Sequence, residues 1–279
     1  VFRKIVDFFI FSSLYIALCA VLMIWQTSHL LLGAPPSGRL VGFVFFSTIC
    51  SYNFHWYLTP ASISPSRRVV WTQRHKILHF ILYLAGGIGA TIYFFSLLPH
   101  LLALCFGAFF TFLYSAPKLP QPVFRRLRRI AVGKTLFLTF VWMYVTSLLP
   151  VIVAGASWNG ATVLFAISRF CLIYAICIIF DYRDREDDKA EGIRSLITLL
   201  NERGIDGLFF GSLVLFAGST IGLYGYHFPL FYILVLLIPG IIVGAVYQRA
   251  KRDFSDYLYY FVLDGLMMFS GLLMLIFRI

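Results

Sequence analysis

Asp181-Tyr182-Arg183-Asp184-Arg185-Glu186-Asp187-Asp188-Lys189-Ala190-Glu191-Gly192-Ile193-Arg194-Ser195-Leu196 follows directly on an apolar run, residues 159–180, long enough to cross a bilayer. The stretch holds six of the chain's twelve acidic residues. Continued as helix, it places Asp181, Asp184 and Asp188 at i, i+3 and i+7, one face of a 3.6-residue period. Three carboxylates crowded on one face at a membrane exit repel one another unless a cation joins them. Mg2+ suits such a place, because it takes oxygen ligands, keeps several waters and is often shared between a few carboxylates and a substrate's phosphates. The plainer reading is a solvated loop in which Arg183, Arg185, Lys189 and Arg194 simply neutralise the acids. Scarcity of acids elsewhere favours the first, since no Asp or Glu occurs from residue 8 to residue 180.

Outward from this stretch the chain is too apolar for a soluble domain. Hydrophobic side chains make up 60% of its 279 residues and charged ones only 13%, with a mean hydropathy of +0.86. Such a composition belongs to a polytopic protein of the lipid bilayer. The net charge of +11 follows membrane topology and does not imply nucleic acid as a partner. The basic cluster Arg125, Arg126, Arg128 and Arg129 suits anionic lipid head groups. Cys19, Cys50, Cys105, Cys171 and Cys177 all lie in apolar runs without metal-site spacing and read as small buried hydrophobes. The first apolar run is long and lacks a small-residue cleavage site after a short core, so no cleavable signal is expected.

Nine apolar runs are legible, at about residues 8–32, 39–58, 77–98, 100–115, 134–155, 159–180, 207–226, 228–248 and 257–278. Each approaches the roughly 20 residues that span hydrocarbon. Pro99, Pro150 and Pro229 sit at or beside their ends, which suits tight turns. The expected fold class is therefore all-α, a polytopic bundle of nine transmembrane helices. Connections after the odd-numbered runs are short and nearly uncharged, whereas those after even-numbered runs are long and basic. This alternation predicts a multi-pass protein of the cell or inner membrane with the N-terminus and large loops in the cytoplasm. Tyr114-x-x-x-Lys118 leaves the fourth run and Tyr247-x-x-x-Lys251 the eighth, an echo that suggests a duplicated plan within one membrane domain, 1–279. Its parts would be a first four-helix half at 39–133, a fifth span with its external turn at 134–158, and a second half with the acidic stretch at 159–279.

Nine spans, Asp-x-x-Asp-x-x-x-Asp-x-x-x-Gly after the sixth and Tyr-x-x-x-Lys after the fourth together resemble the UbiA superfamily of intramembrane prenyltransferases. Asp181, Asp184, Asp188 and Gly192, followed by Arg194-Ser195-Leu196, are similar to that family's second aspartate-rich motif. Tyr114 and Lys118 are similar to its short loop motif. The resemblance implies Mg2+ held by aspartates, an isoprenyl diphosphate as substrate, and transfer of its prenyl cation to a lipophilic, usually aromatic, acceptor in a cavity open to the membrane. It also exposes a departure. The family's first motif begins with Asn and carries aspartates after the second span, but here that exit reads Ser51-Tyr52-Asn53-Phe54-His55-Trp56-Tyr57. Asn53 remains and every aspartate is gone.

A leaving diphosphate needs positive charge opposite its oxygens, and fixed Lys or Arg can supply it in place of a metal. The candidates are Arg67, Arg68 and Arg74 in the first large loop, with Lys118 and Lys134. One Mg2+ on Asp181, Asp184 and Asp188, with Lys134 and Arg67 or Arg68, would then replace a two-ion arrangement. Tyr52, Trp56, Tyr57, Tyr114 and Tyr174 lie near the acidic exit, where ring faces could line a prenyl channel and stabilise a carbocation, although most aromatic residues in such a chain pack or face lipid. His55 and His79 are candidate bases, against the commoner role of a satisfied polar residue. Arg169 and Asp264 fall inside spans and are costly unless they pair or face a wet cavity. The functions left open are prenyl transfer, cyclisation of the ionised chain without an acceptor, and noncatalytic lipid binding or transport by a relative that kept half of the site.

Overall fold

The computed structural model describes residues 2–59, 66–115, 134–190, 192 and 194–278, and these residues are helical without a strand among them. In lipid no water is available to unpaired backbone groups, so a helix is the form in which each apolar run satisfies its own N–H and C=O. Helices α1 (Phe2–Phe11), α2 (Leu14–Thr27), α3 (Gly38–Tyr57), α4 (Arg67–Arg74), α5 (Lys76–Phe95) and α6 (Leu101–Ser115) form the first part. Then come α7 (Lys134–Met143), α8 (Leu149–Val153), α9 (Gly160–Ala190), α10 (Leu196–Leu199), α11 (Glu202–Gly222), α12 (Leu230–Ala250) and α13 (Asp264–Phe277). Wide π-type turns prolong α2 over Ser28–Leu32, join α7 to α8 over Tyr144–Leu148, and lead into α13 over Leu258–Leu263.

Helix occupies every one of the nine apolar runs, but among the described residues seven helical segments are both long and apolar enough to cross a membrane. Two runs fall short for different reasons. The α3 segment mixes Arg39, Thr48, Ser51, Asn53 and His55 with its apolar residues. The α6 segment has 15 residues, about 22 Å of helix against roughly 30 Å of hydrocarbon. The architecture is thus the expected all-helical, multi-pass membrane bundle. Pro229 caps α12 and Pro99 lies in a one-turn link before α6. Pro150 stands in the first turn of α8, which continues directly from the π-type turn, and does not end the fifth helical run; the Thr146 carbonyl four residues before it accepts instead from the Thr27 hydroxyl at 2.6 Å.

Helix α9 is the axis of the bundle. Its apolar window is 72% buried, against 17% for α5 at the periphery. It packs on α7 and α11, with α12 and α13 completing that side, while α2 bridges α13 to α3 and α3 carries α5. The α3–α5 approach is close because Gly86 has no side chain: a Cβ there would meet the backbone N of Cys50 at 2.6 Å and the O of Phe46 at 3.0 Å. Asn159 starts α9 by accepting from the Thr162 N–H at 2.9 Å. At 31 residues, α9 is about 46 Å long, so its final turns, with Asp181, Asp184 and Asp188, extend past the apolar core of the bundle. Continuation of helix through this charged segment keeps the three acids on one face, as their spacing predicts.

At the same end, Tyr247 donates to Asp206 at 2.6 Å, and Lys251 donates to Glu202 at 2.8 Å and Asp206 at 3.0 Å. The second Tyr-x-x-x-Lys therefore ties α12 to α11. Burial alone would lower the pKa of Lys251, but the two carboxylates raise it above its ordinary value. The matching Tyr114 side chain and Lys118 lie outside the described residues.

Candidate active site

A cavity of about 1060 Å³ runs into the bundle between α2, α3, α6, α7, α9 and α13. Its mouth is charged and its body apolar. Asp181, Asp184, Asp187 and Asp188 line it from α9, and Arg68, Arg183 and Asp264 line it from α4, α9 and α13. Asp181 accepts a hydrogen bond from the Thr135 hydroxyl on α7. Asp184 accepts from the Nε of Arg183 at 2.9 Å, and the same guanidinium donates through Nη2 to the Tyr260 hydroxyl at 2.9 Å.

Tyr260 stands between two arginines. On its other side Arg68 lies 4.1 Å from the centres of both the Tyr260 and Trp56 rings. The side chain of Arg68 is buried, its backbone N–H donates to Asp256 at 2.7 Å, and its Nε has no hydrogen-bond partner. Ser66 begins this short helix by accepting from the Val69 N–H at 3.3 Å, which aims Arg68 inward. Burial pulls its pKa below the ordinary value, opposed by Tyr260, Asp264 and Asp256, and a guanidinium remains cationic through such a change.

The other sequence candidates separate by their contacts. Asn53 is fully buried at a three-helix junction: its Nδ2 donates to the Ser12 carbonyl at 3.1 Å and the Ile49 carbonyl at 2.8 Å, and its Oδ1 lies 2.7 Å from Nδ1 of His79. It is not among the cavity's lining residues, so the amide holds α1, α3 and α5 together. Arg67 faces away from the cavity and pairs with Asp7, which also accepts from the Tyr257 hydroxyl at 2.5 Å. Tyr57 packs on Phe80 at the surface. Tyr174 stacks on Phe170 within the core, while Arg74 and Arg194 are exposed. None of Arg67, Arg74, Tyr57, Tyr174 and Arg194 lines the cavity, for one helical step separates a residue that faces it from one that does not. The side chains of Tyr114 and Lys134, and all of Lys118, lie outside the described residues.

Arg169 and Asp264 do not pair. Arg169 is buried with its guanidinium donating to Ser270 and Ser168, each at 3.3 Å, whereas Asp264 belongs to the cavity wall. His55, Tyr52 and Trp56 also line the cavity. Sequence reasoning missed Arg183 and Asp187 because both read as neutralising or solvated charges, and Tyr260 because it is one tyrosine among 16.

Among the described residues no three acids, histidines or cysteines are grouped closely enough to form a ready-made metal cage. The donor set instead fits an ion shared with substrate. Mg2+ is commonly bound by one or two carboxylates, several waters and phosphate oxygens, and Asp184 and Asp188 are one turn apart on a shared face. The α3 wall offers no carboxylate.

A family model described as the UbiA prenyltransferase family matches residues 58–262. The chain belongs to the UbiA prenyltransferase family. The match takes in α4 with Arg68 and the whole acidic end of α9, and begins after Asn53. No curated protein and no solved structure matches the chain.

Proposed function

We propose that this UbiA family protein is a Mg2+-dependent isoprenyltransferase, moving the prenyl group of an isoprenyl diphosphate to a lipophilic, hydroxylated or aromatic acceptor. The observation that carries this reading is one cavity with four carboxylates and two arginines at its mouth, Arg68 buried and Arg183 half-buried, and an apolar body behind them. Asp184 and Asp188, with Asp181 beside them, would hold the ion against the diphosphate. Mg2+, when bound, neutralises charge on the diphosphate and makes it a better leaving group. Arg68 supplies fixed positive charge across from α9, where the missing carboxylates of α3 would have placed a second ion, and Arg183 adds a cation on α9 itself, beside Asp184. The rings of Trp56 and Tyr260 hold the Arg68 guanidinium flat and out of water. A prenyl chain leads from this mouth into the body of the cavity, whose walls exclude water from the ionised carbon.

The cavity, at about 1060 Å³, is of the size of a large single-ligand pocket and accommodates a prenyl chain for transfer or for cyclisation alike. The cavity mouth carries Arg68 and Arg183, at the end of the bundle where α4 and the acidic end of α9 bring further basic residues, which supports a cytoplasmic mouth.

Purified protein incubated with labelled isoprenyl diphosphates and Mg2+, with and without membrane extract, tests the reading. Diphosphate release that depends on extract and is abolished by a chelator is the expected result. Mg2+ titration should be hyperbolic, as for one essential ion. Two cooperative ions would refute the replacement of the second by arginine, and no release with any chain length would refute the enzyme.

A further inference from the structure

Asp264 is the one acid on the cavity wall that does not come from the acidic end of α9. It is the first residue of α13, directly after the π-type turn Leu258–Leu263, and π segments recur where a helix re-aims a side chain into a site. It lines the same cavity as the acids of α9, whose wall also includes Ile16, Ala20, Cys177 and Met267. Among the described residues no hydrogen-bond donor reaches its carboxylate; the charges of Arg68 and Arg183 act on it from a distance. Tyr15 and Cys19 of α2 and Cys177 of α9 are the other ionisable groups that feel it. Tyr15 has its own partner, the Phe261 carbonyl at 2.9 Å. An acid left without a donor in an apolar cavity is costly, and a donor brought by a ligand would relieve that cost.

We propose that Asp264 is the acceptor site of the cavity: its carboxylate accepts a hydrogen bond from the hydroxyl of a neutral phenol or hydroquinone and takes that proton during alkylation. The inference rests on the transferase reading. As the C1–O bond of the isoprenyl diphosphate breaks, its electron pair leaves with the diphosphate oxygen. A ring π pair of the acceptor then bonds C1, the O–H pair becomes the carbonyl π bond, and the proton passes to Asp264. The ring regains aromaticity when Asp264 returns that proton to oxygen and the alkylated carbon releases its own to an oxygen of the released diphosphate. Recognition by a carboxylate also sets specificity: an acceptor with its own carboxylate beside Asp264 would face like charge.

Asp264→Asn keeps the shape and removes the base, and Asp264→Ala leaves space for formate. With labelled isoprenyl diphosphate, Mg2+ and a set of hydroquinones, phenols and hydroxybenzoates, wild type should prenylate the neutral rings in preference to the acids. Asp264→Asn should lower kcat by about 10²-fold, the usual scale of general-base catalysis. Its KM for isoprenyl diphosphate and its thermal unfolding in detergent should match wild type. Formate should restore turnover to Asp264→Ala about tenfold or more, a rescue that a structural role would not show. Wild-type turnover in Asp264→Asn, failure of formate rescue in a folded Asp264→Ala, or preference for hydroxybenzoates would overturn the assignment. Transfer that is indifferent to position 264 removes this inference alone, whereas absence of any diphosphate release from wild type removes the transferase reading with it.

Discussion

Replacing Arg68 by Gln should separate chemistry from folding. The guanidinium is the cavity's buried cation on the side where α3 lacks acids, and it lies between two rings at 4.1 Å each. For a cation about 5 Å from a diphosphate oxygen at an effective dielectric of about 20, the interaction is about 3 kcal/mol. With about 1.4 kcal/mol per decade of rate, kcat/KM for diphosphate release should fall about 10²-fold. Stability should respond much less. The two stacking contacts, up to about 2 kcal/mol each when desolvated, are lost together with the cost of burying a cation that lacks a close carboxylate. The backbone bond from residue 68 to Asp256 does not depend on the side chain. Arg68→Lys keeps the charge but not the flat face, and a loss of about tenfold is expected. Activity can be followed as labelled diphosphate released under single-turnover conditions, and folding as thermal unfolding in detergent. Activity of Arg68→Gln within twofold of wild type, in protein that unfolds normally, would refute the assignment of Arg68 to the diphosphate.

Asn53→Ala should behave in the opposite way. It leaves the Ser12 carbonyl and the His79 ring without their partner inside the bundle, a loss of about 2–4 kcal/mol, so thermal stability should drop while KM for isoprenyl diphosphate stays unchanged; a purely kinetic defect would restore Asn53 to the chemistry. Gly86→Leu drives a side chain against the α3 backbone at Cys50 and Phe46, where nothing flexible can give way. Overpacking of this kind costs about 1–3 kcal/mol, and since α3 carries Tyr52 and Trp56 on the cavity wall, turnover should fall along with stability. Normal expression and activity of Gly86→Leu would show that α3 and α5 are not held as closely as described.

Much of the molecule was legible before folding was considered. Apolar runs of membrane length leave helix as the way to satisfy the backbone in lipid, so the bundle and the positions of its helices follow from hydropathy. The three acids were legible for the same reason, since the period of the helix that carries them determines that they share a face. Periodicity is silent on what stands opposite a face. Arg67 and Arg68 are neighbours of one type in the sequence, yet one pairs with Asp7 and the other enters the cavity, a choice made by the rotation of α4 against α1 and α13.

The same limit explains Asn53, Arg169 and Asp264. As letters, Asn53 looked catalytic, and the other two could equally pair or face a wet cavity. Packing gave the amide three partners at a helix junction, surrounded the arginine with serine hydroxyls, and turned the aspartate to the cavity. The chain alone therefore determined that this is a helical membrane protein with an acidic helix exit, because burial of apolar length and helical period are local properties. Which charges converge on one cavity was decided only by tertiary structure, because convergence depends on how separate helices rotate and pack, and no local pattern records that.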